Sequence, residues 1–441
     1  MDPRIRLLPQ TAHPDAARVL AARALRAFAD GFVSILLPAY LLALGFDALA
    51  VGLIATATLL GSAGMTIAVG ALAGRVAIHI VLLAAAALMV GTGLGFAGLE
   101  SFWPLLAVAF VGTLNPSAGD VSIFLPLEHA LLSRAIADRE RTALFARYSL
   151  AGTLAAALGT LLAAAPDAAV ARLGIDALTA MRAMFVIYAV IGLATGMIYR
   201  RIAPLPAADE VKRSRLLGPS RGVVYRLAAL FSLDAFAGGF VVQSILALWL
   251  FQRFDLSLGL AASIFFWSSI LTSVSLLVAP RVARRFGLVN TMVFTHLPAN
   301  FILLMIPFVT ELSLVIALLL LRSLLSQMDV PTRTSYVMAI VTPAERPAAA
   351  SLTSVPRSLA SAASPALAGY LFSASPFAWP LLLCGLLKIV YDLSLLAMFR
   401  HMKPPEELVA PRSAVTGDPR QEDGELRNER HRRQNEQLGG Q

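Results

Sequence analysis

Residues 76–99 read VAIHIVLLAAAALMVGTGLGFAGL, a stretch that contains no Asp, Glu, Lys or Arg. A helix needs about 20 mostly apolar residues to cross a bilayer, and this stretch is longer than that. Four further stretches without these charged residues also exceed that length: Ala48–Gly74, Leu256–Pro280, Phe286–Thr310 and Ser358–Leu387. Together they predict a polytopic α-helical membrane protein.

The composition of the whole chain points the same way. Of its 441 residues, 58% are apolar and 14% are charged, and the mean hydropathy is +0.74. Soluble domains are about 45–50% apolar and about 25% charged, so a soluble enzyme, a secreted disulfide-rich module and a simple nucleic-acid binder are excluded. The single cysteine, Cys384, cannot form an internal disulfide. Because no catalytic or metal-binding motif is visible, we expect no enzymatic activity, no cofactor and no bound metal.

Reading the apolar runs along the chain predicts an all-α membrane protein with twelve transmembrane helices. The predicted spans lie near 20–45, 49–72, 77–99, 102–125, 143–165, 179–200, 226–252, 258–280, 288–310, 312–338, 347–373 and 377–400. They divide the chain into an N-terminal six-helix bundle (1–200), a polar linker (201–224), a C-terminal six-helix bundle (225–400) and a tail (401–441) that we expect to be disordered.

The basic residues predict the orientation in the membrane, because cytoplasmic loops retain Lys and Arg. The central linker, the tail and most of the basic loop residues fall on one side, whereas the other side keeps only Arg172, Arg182 and Arg253. We therefore expect both termini to be cytoplasmic and the protein to lie in the inner (plasma) membrane. The net charge of +9 then serves topology and contacts with the lipid bilayer, and we expect no nucleic-acid partner.

The second half of the sequence repeats the first at an offset near 208. Gly31-Phe32-Val33 recurs as Gly239-Phe240-Val241, and Glu140-Arg141 recurs as Glu345-Arg346. Because six spans separate the copies, the two bundles have the same orientation and are related by a parallel repeat. Such repeats place a binding site at the interface between the halves.

Six plus six spans with a basic central linker resemble the major facilitator superfamily of secondary transporters. The loop after the second span keeps Gly70 and Arg75 of that family's signature, with Gly74 where an Asp is expected. The corresponding loop after the eighth span reads Ala283-Arg284-Arg285-Phe286-Gly287, again without the acid. The resemblance implies alternating access and a central cavity lined by spans 1, 4, 7 and 10.

Polar residues within those four spans are the candidate substrate ligands. Arg322 lies about 15 Å into span ten at 1.5 Å per residue, near the middle of the bilayer. We predict that Arg322 docks an anionic group of a small-molecule substrate, and that Ser326, on the same helical face, and Asn115, Gln243 and Ser244 also contact the substrate. The alternative for Gln243 and Ser244 is a hydrogen bond between helices. The alternative is that Arg322 is a structural arginine neutralised by an acid on a neighbouring helix. Pro116 and Pro331 predict breaks in spans four and ten.

Two acids in spans four and ten, Asp120 and Asp329, could replace the acid that both loop signatures lack. We predict a gate in which Asp120 pairs with Arg75 or Arg147, and Asp329 pairs with Arg285 or Arg357. The alternative is that each acid only makes a local helix contact.

Asp30 and Asp234 in spans one and seven are the candidate proton-coupling carboxylates. No basic residue lies within one turn of Asp234 along its helix, so desolvation would favour its neutral form. The alternative is permanent pairing of Asp30 with Arg23 or Arg26, and of Asp234 with Arg322.

Six further polar residues are expected to lie outside the substrate site. Lys388 and Asp392 stand four residues apart and should neutralise one another, whereas His296 and Asn300 should form hydrogen bonds between helices. Glu128 and His129 are expected at the cytoplasmic interface.

These features predict a secondary active transporter for a small organic solute or ion, acting as a monomer. Export is the predicted direction, and proton coupling the predicted driving force. One alternative is a proton-coupled importer of an organic anion, and another is a receptor or scaffold that does not transport.

Overall fold

The computed structural model describes residues 13–72, 76–117, 123–134, 138–202, 218–342 and 345–402, and within these ranges every regular element is a helix. We call residues 14–202 the N-half and residues 218–402 the C-half. The N-half contains α1 (Pro14–Ala43), α2 (Ala48–Leu72), α3 (Ile78–Gly98), α4 (Phe102–Val111), α5 (Phe124–Arg134), α6 (Asp138–Leu162), α7 (Ala165–Leu173) and α8 (Ala177–Tyr199).

The C-half repeats the order of crossings, although its first crossing is divided into two helices and its described residues contain no counterpart of α7. It contains α9 (Arg221–Gly239), α10 (Gln243–Phe254), α11 (Leu258–Phe286), α12 (Leu288–Met305), α13 (Leu312–Leu325), α14 (Asp329–Ile340), α15 (Arg346–Ala374) and α16 (Trp379–Phe399). A short 3₁₀ turn, Ile306–Phe308, follows α12. The two halves form one compact unit that ends at His401.

The described helices can be grouped into twelve segments, the number that the sequence predicts. Ten helical segments among the described residues are long and apolar enough to span a bilayer. The fourth crossing consists of the short apolar α4 followed by α5, and the eleventh is the 29-residue α15. The predicted end of span four at residue 125 is wrong, since helix α5 continues to Arg134. The break after α4 shifts the crossing towards the C-terminus.

Three of the crossings are interrupted near the middle. In the fourth, α4 ends at Val111 and the chain is non-helical through Asn115, where Pro116 removes a backbone donor. In the tenth, the break lies just before α14, so that Pro331 falls within the first turn of that helix, where a missing N–H is tolerated. The break between α9 and α10 was not predicted. It follows Gly238-Gly239, two residues of low helix propensity.

The repeat is visible in the packing of the halves. A Cβ on Gly31 of α1 would overlap the backbone of Ala156 on α6, and a Cβ on Gly239 of α9 would overlap the backbone of Ser361 on α15. The two glycines are 208 residues apart and their partners 205, which are the offsets of the sequence repeat. Close helix contact at small residues, typical of membrane proteins, thus recurs at equivalent places.

The halves meet near one side of the membrane. We call the side where α1 begins and α16 ends the terminal side, and the other the opposite side. Near the opposite side, the Leu49 N–H donates to Ser373 Oγ at 3.0 Å and the Gly259 N–H donates to Asp167 Oδ2 at 2.9 Å. Gly52 of α2 contacts Gly369 of α15 so closely that a side chain on either would overlap backbone atoms of the other half.

Candidate functional site

A cavity of about 430 Å³ lies between the halves. Residues of α1, α6, α10, α11, α13, α14, α15 and of the three breaks line it. Its polar lining consists of Arg23, Asp30, Ser117, Thr153, Gln243, Ser268, Ser269, Thr272, Arg322, Ser323, Ser326, Gln327 and Arg357. Apolar side chains such as Phe265 and Leu319 form the remaining wall. A polar and an apolar wall together suit a small organic solute.

Arg322, Ser326 and Gln243 all line the cavity, as predicted. The Nε of Arg322 and the Nε2 of Gln243 are enclosed by protein, and neither has a hydrogen-bond partner among the described residues. Both atoms are donors. Because Arg322 and Gln243 both carry donor groups and line the cavity, this part of the cavity favours a ligand with acceptor oxygens.

Asn115 and Ser244 occupy other places than predicted. Both are buried, and neither belongs to the lining of the cavity. Asn115 Oδ1 accepts hydrogen bonds from the backbone N–H of Ser117 at 3.1 Å and from its hydroxyl at 2.7 Å, so Asn115 positions Ser117, which does line the cavity. The Ser244 N–H donates to the carbonyl of Pro116 at 3.0 Å and joins the two broken crossings.

Two further arginines line the cavity, one from each half. Arg23 of α1 lies against Gly152 of α6, where a Cβ would overlap its guanidinium, and its Cζ is 5.3 Å from the centre of the Tyr148 ring. Arg357 of α15 is exposed to the cavity. Gly152 precedes Arg357 by 205 residues, the offset of the repeat. Each half therefore provides one guanidinium to the cavity, the N-half from α1 and the C-half from α15.

Outside the cavity, the N-half contains a buried ionic cluster around Glu128. Arg26 Nη2 forms an ion pair with Glu128 Oε2, and the hydroxyls of Tyr148 and Tyr199 donate to the same carboxylate at 2.5 and 2.7 Å. The Arg26 guanidinium also stacks on the Phe124 ring at 3.9 Å. The expectation that Glu128 lies at the cytoplasmic interface stays a prediction, and the structure adds that its side chain is fully buried within the protein. Arg26 compensates its charge.

The C-half contains a larger cluster around Asp234. Arg333 donates to Asp234 Oδ2 at 2.8 Å and also pairs with Asp329, while Lys388 Nζ lies 2.6 Å from Asp234 Oδ1. Arg322 does not pair with Asp234, and Asp329 pairs with Arg333 rather than with Arg285 or Arg357. Although no basic residue lies within one turn of Asp234 along α9, two cations from α14 and α16 contact it and compensate its charge.

Asp392 is engaged elsewhere. Its carboxylate bonds to His296 Nδ1 at 2.9 Å and accepts from Asn300 Nδ2 at 2.8 Å, which confirms the predicted hydrogen bonds between helices. The expected Lys388–Asp392 pair is wrong. Although the two residues are four apart on α16, Lys388 turns to Asp234 on α9 and Asp392 to α12.

The predicted gate around Asp120 lies partly outside the described residues. Arg75 and Asp120 are not described, so the pairing of Asp120 with Arg75 or Arg147 stays a prediction. Arg285 is exposed at the terminal-side end of α11, with its Cζ 5.5 Å from the centre of the Phe286 ring. Arg147 on α6 is half-buried. No group of three or more His, Cys, Asp or Glu in the described ranges could hold a metal ion.

Sequence reasoning missed much of the polar lining. The hydroxyls of Ser268, Ser269 and Thr272 lie on one face of α11, and their spacing of one and four residues is a helical signal that was available. Arg23 and Arg357 were recognised as charges within spans, although not as cavity residues. Whether a charge faces a cavity or a neighbouring helix depends on helix rotation, which the apolar pattern leaves open.

Comparisons with known proteins agree with this architecture. The chain matches the sequence model of the Major Facilitator Superfamily over residues 19–324 and again over 228–432. An uncharacterized membrane protein of Saccharomyces cerevisiae is 23% identical over 354 residues, which cover 72% of this chain and 79% of the yeast protein.

Several solved transporters have a similar fold. The nucleoside transporter NupG superposes with a TM-score of 0.67 at 15% identity, covering 88% of this chain and 100% of NupG. A bacterial homologue of the human lysosomal transporter Spinster, in an inward-facing and unoccupied conformation, superposes with a TM-score of 0.65 at 15% identity. The match covers 88% of this chain and 96% of the homologue. The human organic anion transporter MFSD10 superposes with a TM-score of 0.59 at 17% identity, covering 87% of this chain and 100% of MFSD10. Identities this low show a shared fold alone.

Proposed function

The chain belongs to the major facilitator superfamily, and from that premise we propose that this secondary transporter carries a small organic anion. The observation that carries the proposal is Arg322. Its guanidinium lines the central cavity, and its Nε has no protein partner among the described residues. The planar guanidinium of arginine matches carboxylate and phosphate groups. The side-chain amide of Gln243 is a second donor group among the lining residues of the same cavity.

Ligand binding to the purified protein tests the anionic character of the substrate. A ligand that binds only the folded state raises the apparent unfolding temperature. We expect stabilisation by members of a panel of small organic carboxylates and phosphate esters, and none by neutral analogues of the same size. Stabilisation by neutral analogues alone would contradict the proposal.

Substitution of Arg322 tests the site itself. Arg322→Lys keeps the charge but not the paired donors, so we expect it to lose most of the transport of the anion that stabilises the wild-type protein. Arg253→Lys is the matched control, because Arg253 is exposed near the opposite side. Wild-type flux in Arg322→Gln would overturn the docking role.

Asp30 supports the proposed proton coupling better than Asp234 does. Asp30 lines the cavity, whereas Asp234 is engaged by Arg333 and Lys388. We propose that a proton carried with the anion binds Asp30. A pH gradient imposed on proteoliposomes should then change the rate of anion flux, and Asp30→Asn should abolish that response. An unchanged response in Asp30→Asn would exclude this carboxylate.

We further propose that the protein acts as a monomer without enzymatic activity, in the inner membrane, with both termini cytoplasmic. The basic linker and tail support this orientation, and export remains the predicted direction. A fluorescent reporter that matures only in the cytoplasm should give signal when it is fused after Gln441. Signal only from a reporter active outside the cytoplasm would reverse the orientation.

A further inference from the structure

The ionic clusters within each half are balanced in charge. In the N-half, Arg26 is set against Glu128, and in the C-half Arg333 and Lys388 are set against Asp234 and Asp329. The cavity between the halves is not balanced. Its described lining contains three cations and one carboxylate: Arg23, Arg322, Arg357 and Asp30.

Arg322 and Arg357 carry this excess. When the negative charge of Asp30 is taken to balance that of Arg23, the positive charges of these two guanidiniums are still uncompensated. Neither forms an ion pair with a carboxylate in the described part of the chain. Arg322 extends from α13, and Arg357 from α15 nearer the terminal side. In the present arrangement the halves meet near the opposite side, and water in the cavity can hydrate both cations.

Closure on the terminal side removes that water. Moving an ion from water into a protein interior is costly unless an opposite charge accompanies it. Arg357 of the C-half and Arg23 of the N-half would also approach each other, because the halves carry them on facing walls of one cavity. An anion bound between the halves offsets both costs at once.

We propose that the unloaded protein does not close on its terminal side, so that it works as an obligate exchanger of anions. This inference rests on the proposed anion transport and adds its coupling: every passage of the cavity occurs with an anion bound. A proton on Asp30 cannot replace the anion, because neutralising that carboxylate increases the positive excess. It can only accompany the anion.

Spin-label distances test the closure without knowledge of the substrate. Labels are attached to Gly70→Cys and Arg284→Cys, exposed positions near the terminal-side ends of α2 and α11, after Cys384→Ser has removed the single native cysteine. A Cβ at Gly70 has open space around it. In nanodiscs, in a zwitterionic buffer without added salt, we expect one long distance. With Arg322→Gln and Arg357→Gln together, we expect a second, shorter distance.

The matched control removes two positive charges outside the cavity. Arg253 and Arg400 are exposed, so Arg253→Gln with Arg400→Gln should retain the single long distance. A short distance of equal weight in the unsubstituted protein would overturn the proposal. So would the absence of a short distance in the Arg322→Gln and Arg357→Gln protein, since charge would then not hold the terminal side open.

Flux separates this inference from the function on which it rests. Uptake of labelled succinate, benzoate and inorganic phosphate is measured into proteoliposomes that contain the same unlabelled anion or none. We expect uptake of a transported anion to be roughly tenfold faster, or more, into loaded vesicles. Equal uptake into loaded and empty vesicles would overturn exchange while anion transport stands. Uptake of none of the three would count against anion transport itself, and the distance measurement would still decide the closure.

Discussion

Asp234 and Arg333 form a buried ion pair of 2.8 Å between α9 and α14, at positions that hold the opposite charges in the other half. Arg26 lies 208 residues before Asp234 and Glu128 lies 205 before Arg333, and these two residues are also paired. The first and fourth crossings of each half are thus joined by an ion pair at the same place, with the signs exchanged. The repeat preserves the contact rather than the residue types.

The Arg26–Glu128 pair should be sensitive to removal of one partner. Arg26→Leu leaves the fully buried Glu128 uncompensated, and we expect a loss of about 3–5 kcal/mol in the free energy of unfolding. Arg26→Leu combined with Glu128→Leu should recover part of that loss, because no charge then remains buried. Unfolding in detergent, followed by circular dichroism, measures both.

The pair between Arg182 and Glu100 is the control for this comparison, because it is more exposed than the Arg26–Glu128 pair. The side chain of Glu100 is 66% exposed, so Arg182→Leu should cost no more than about 1 kcal/mol. Equal losses from Arg26→Leu and Arg182→Leu would show that burial does not determine the strength of these pairs.

The close contact between Gly52 and Gly369 should be required for the two halves to close on the opposite side. Gly52→Leu adds a side chain where the carbonyl of Pro365 and the Cα of Gly369 already lie, so we expect the halves to separate there. A water-soluble maleimide added from the opposite side should then label Leu246→Cys in the cavity. Gly64→Leu on the same helix has open space and should leave labelling unchanged. Equal labelling of the two variants would exclude Gly52 as the point of closure.

Gly152 should determine the position of the Arg23 guanidinium. In Gly152→Val the new side chain occupies the space of Arg23 Nε, so we expect the KM for the transported anion to rise roughly tenfold, equivalent to about 1.4 kcal/mol. Gly222→Val, at a glycine with open space, is the control. An unchanged KM in Gly152→Val would mean that Arg23 does not contribute to binding.

Glu345 should make stability depend on pH. Hydrogen bonds from the hydroxyls of Ser220 and Thr342, with a further one from the Gly218 N–H, lower the pKa of the Glu345 carboxyl to about 2 from 4.5. A lowered pKa stabilises the folded state above the unfolded pKa, and this stabilisation is lost as the pH falls from 4.5 towards 2. Glu345→Gln should therefore unfold at a lower temperature than the wild type at pH 7.

The difference between Glu345→Gln and the wild type should shrink below pH 4.5. Thermal unfolding from pH 7 to pH 3 measures it, with Glu311→Gln, at an exposed residue on the opposite side, as the control. A difference that stays constant over this range would show that the carboxylate charge is not what holds the end of the linker.

The sequence by itself determined the membrane architecture. Charge-free stretches such as residues 76–99 can be stable only in a bilayer, and the offset of 208 between Gly31 and Gly239 determines the parallel repeat. The depth of Arg322 near the middle of the membrane also follows from the sequence, because helix rise alone gives it. Each of these inferences uses a distance along the chain, which the sequence contains directly.

Only the tertiary structure decided which charges meet. Lys388 stands four residues from Asp392, yet it contacts Asp234, which is 154 residues away. Asp329 likewise pairs within its own half, and Glu128 is buried by Tyr148 and Tyr199. In a bilayer the apolar faces of a helix are nearly equivalent, so hydropathy leaves helix rotation undetermined. Packing at glycines and the pairing of buried charges fix that rotation, and both depend on residues far apart in the sequence.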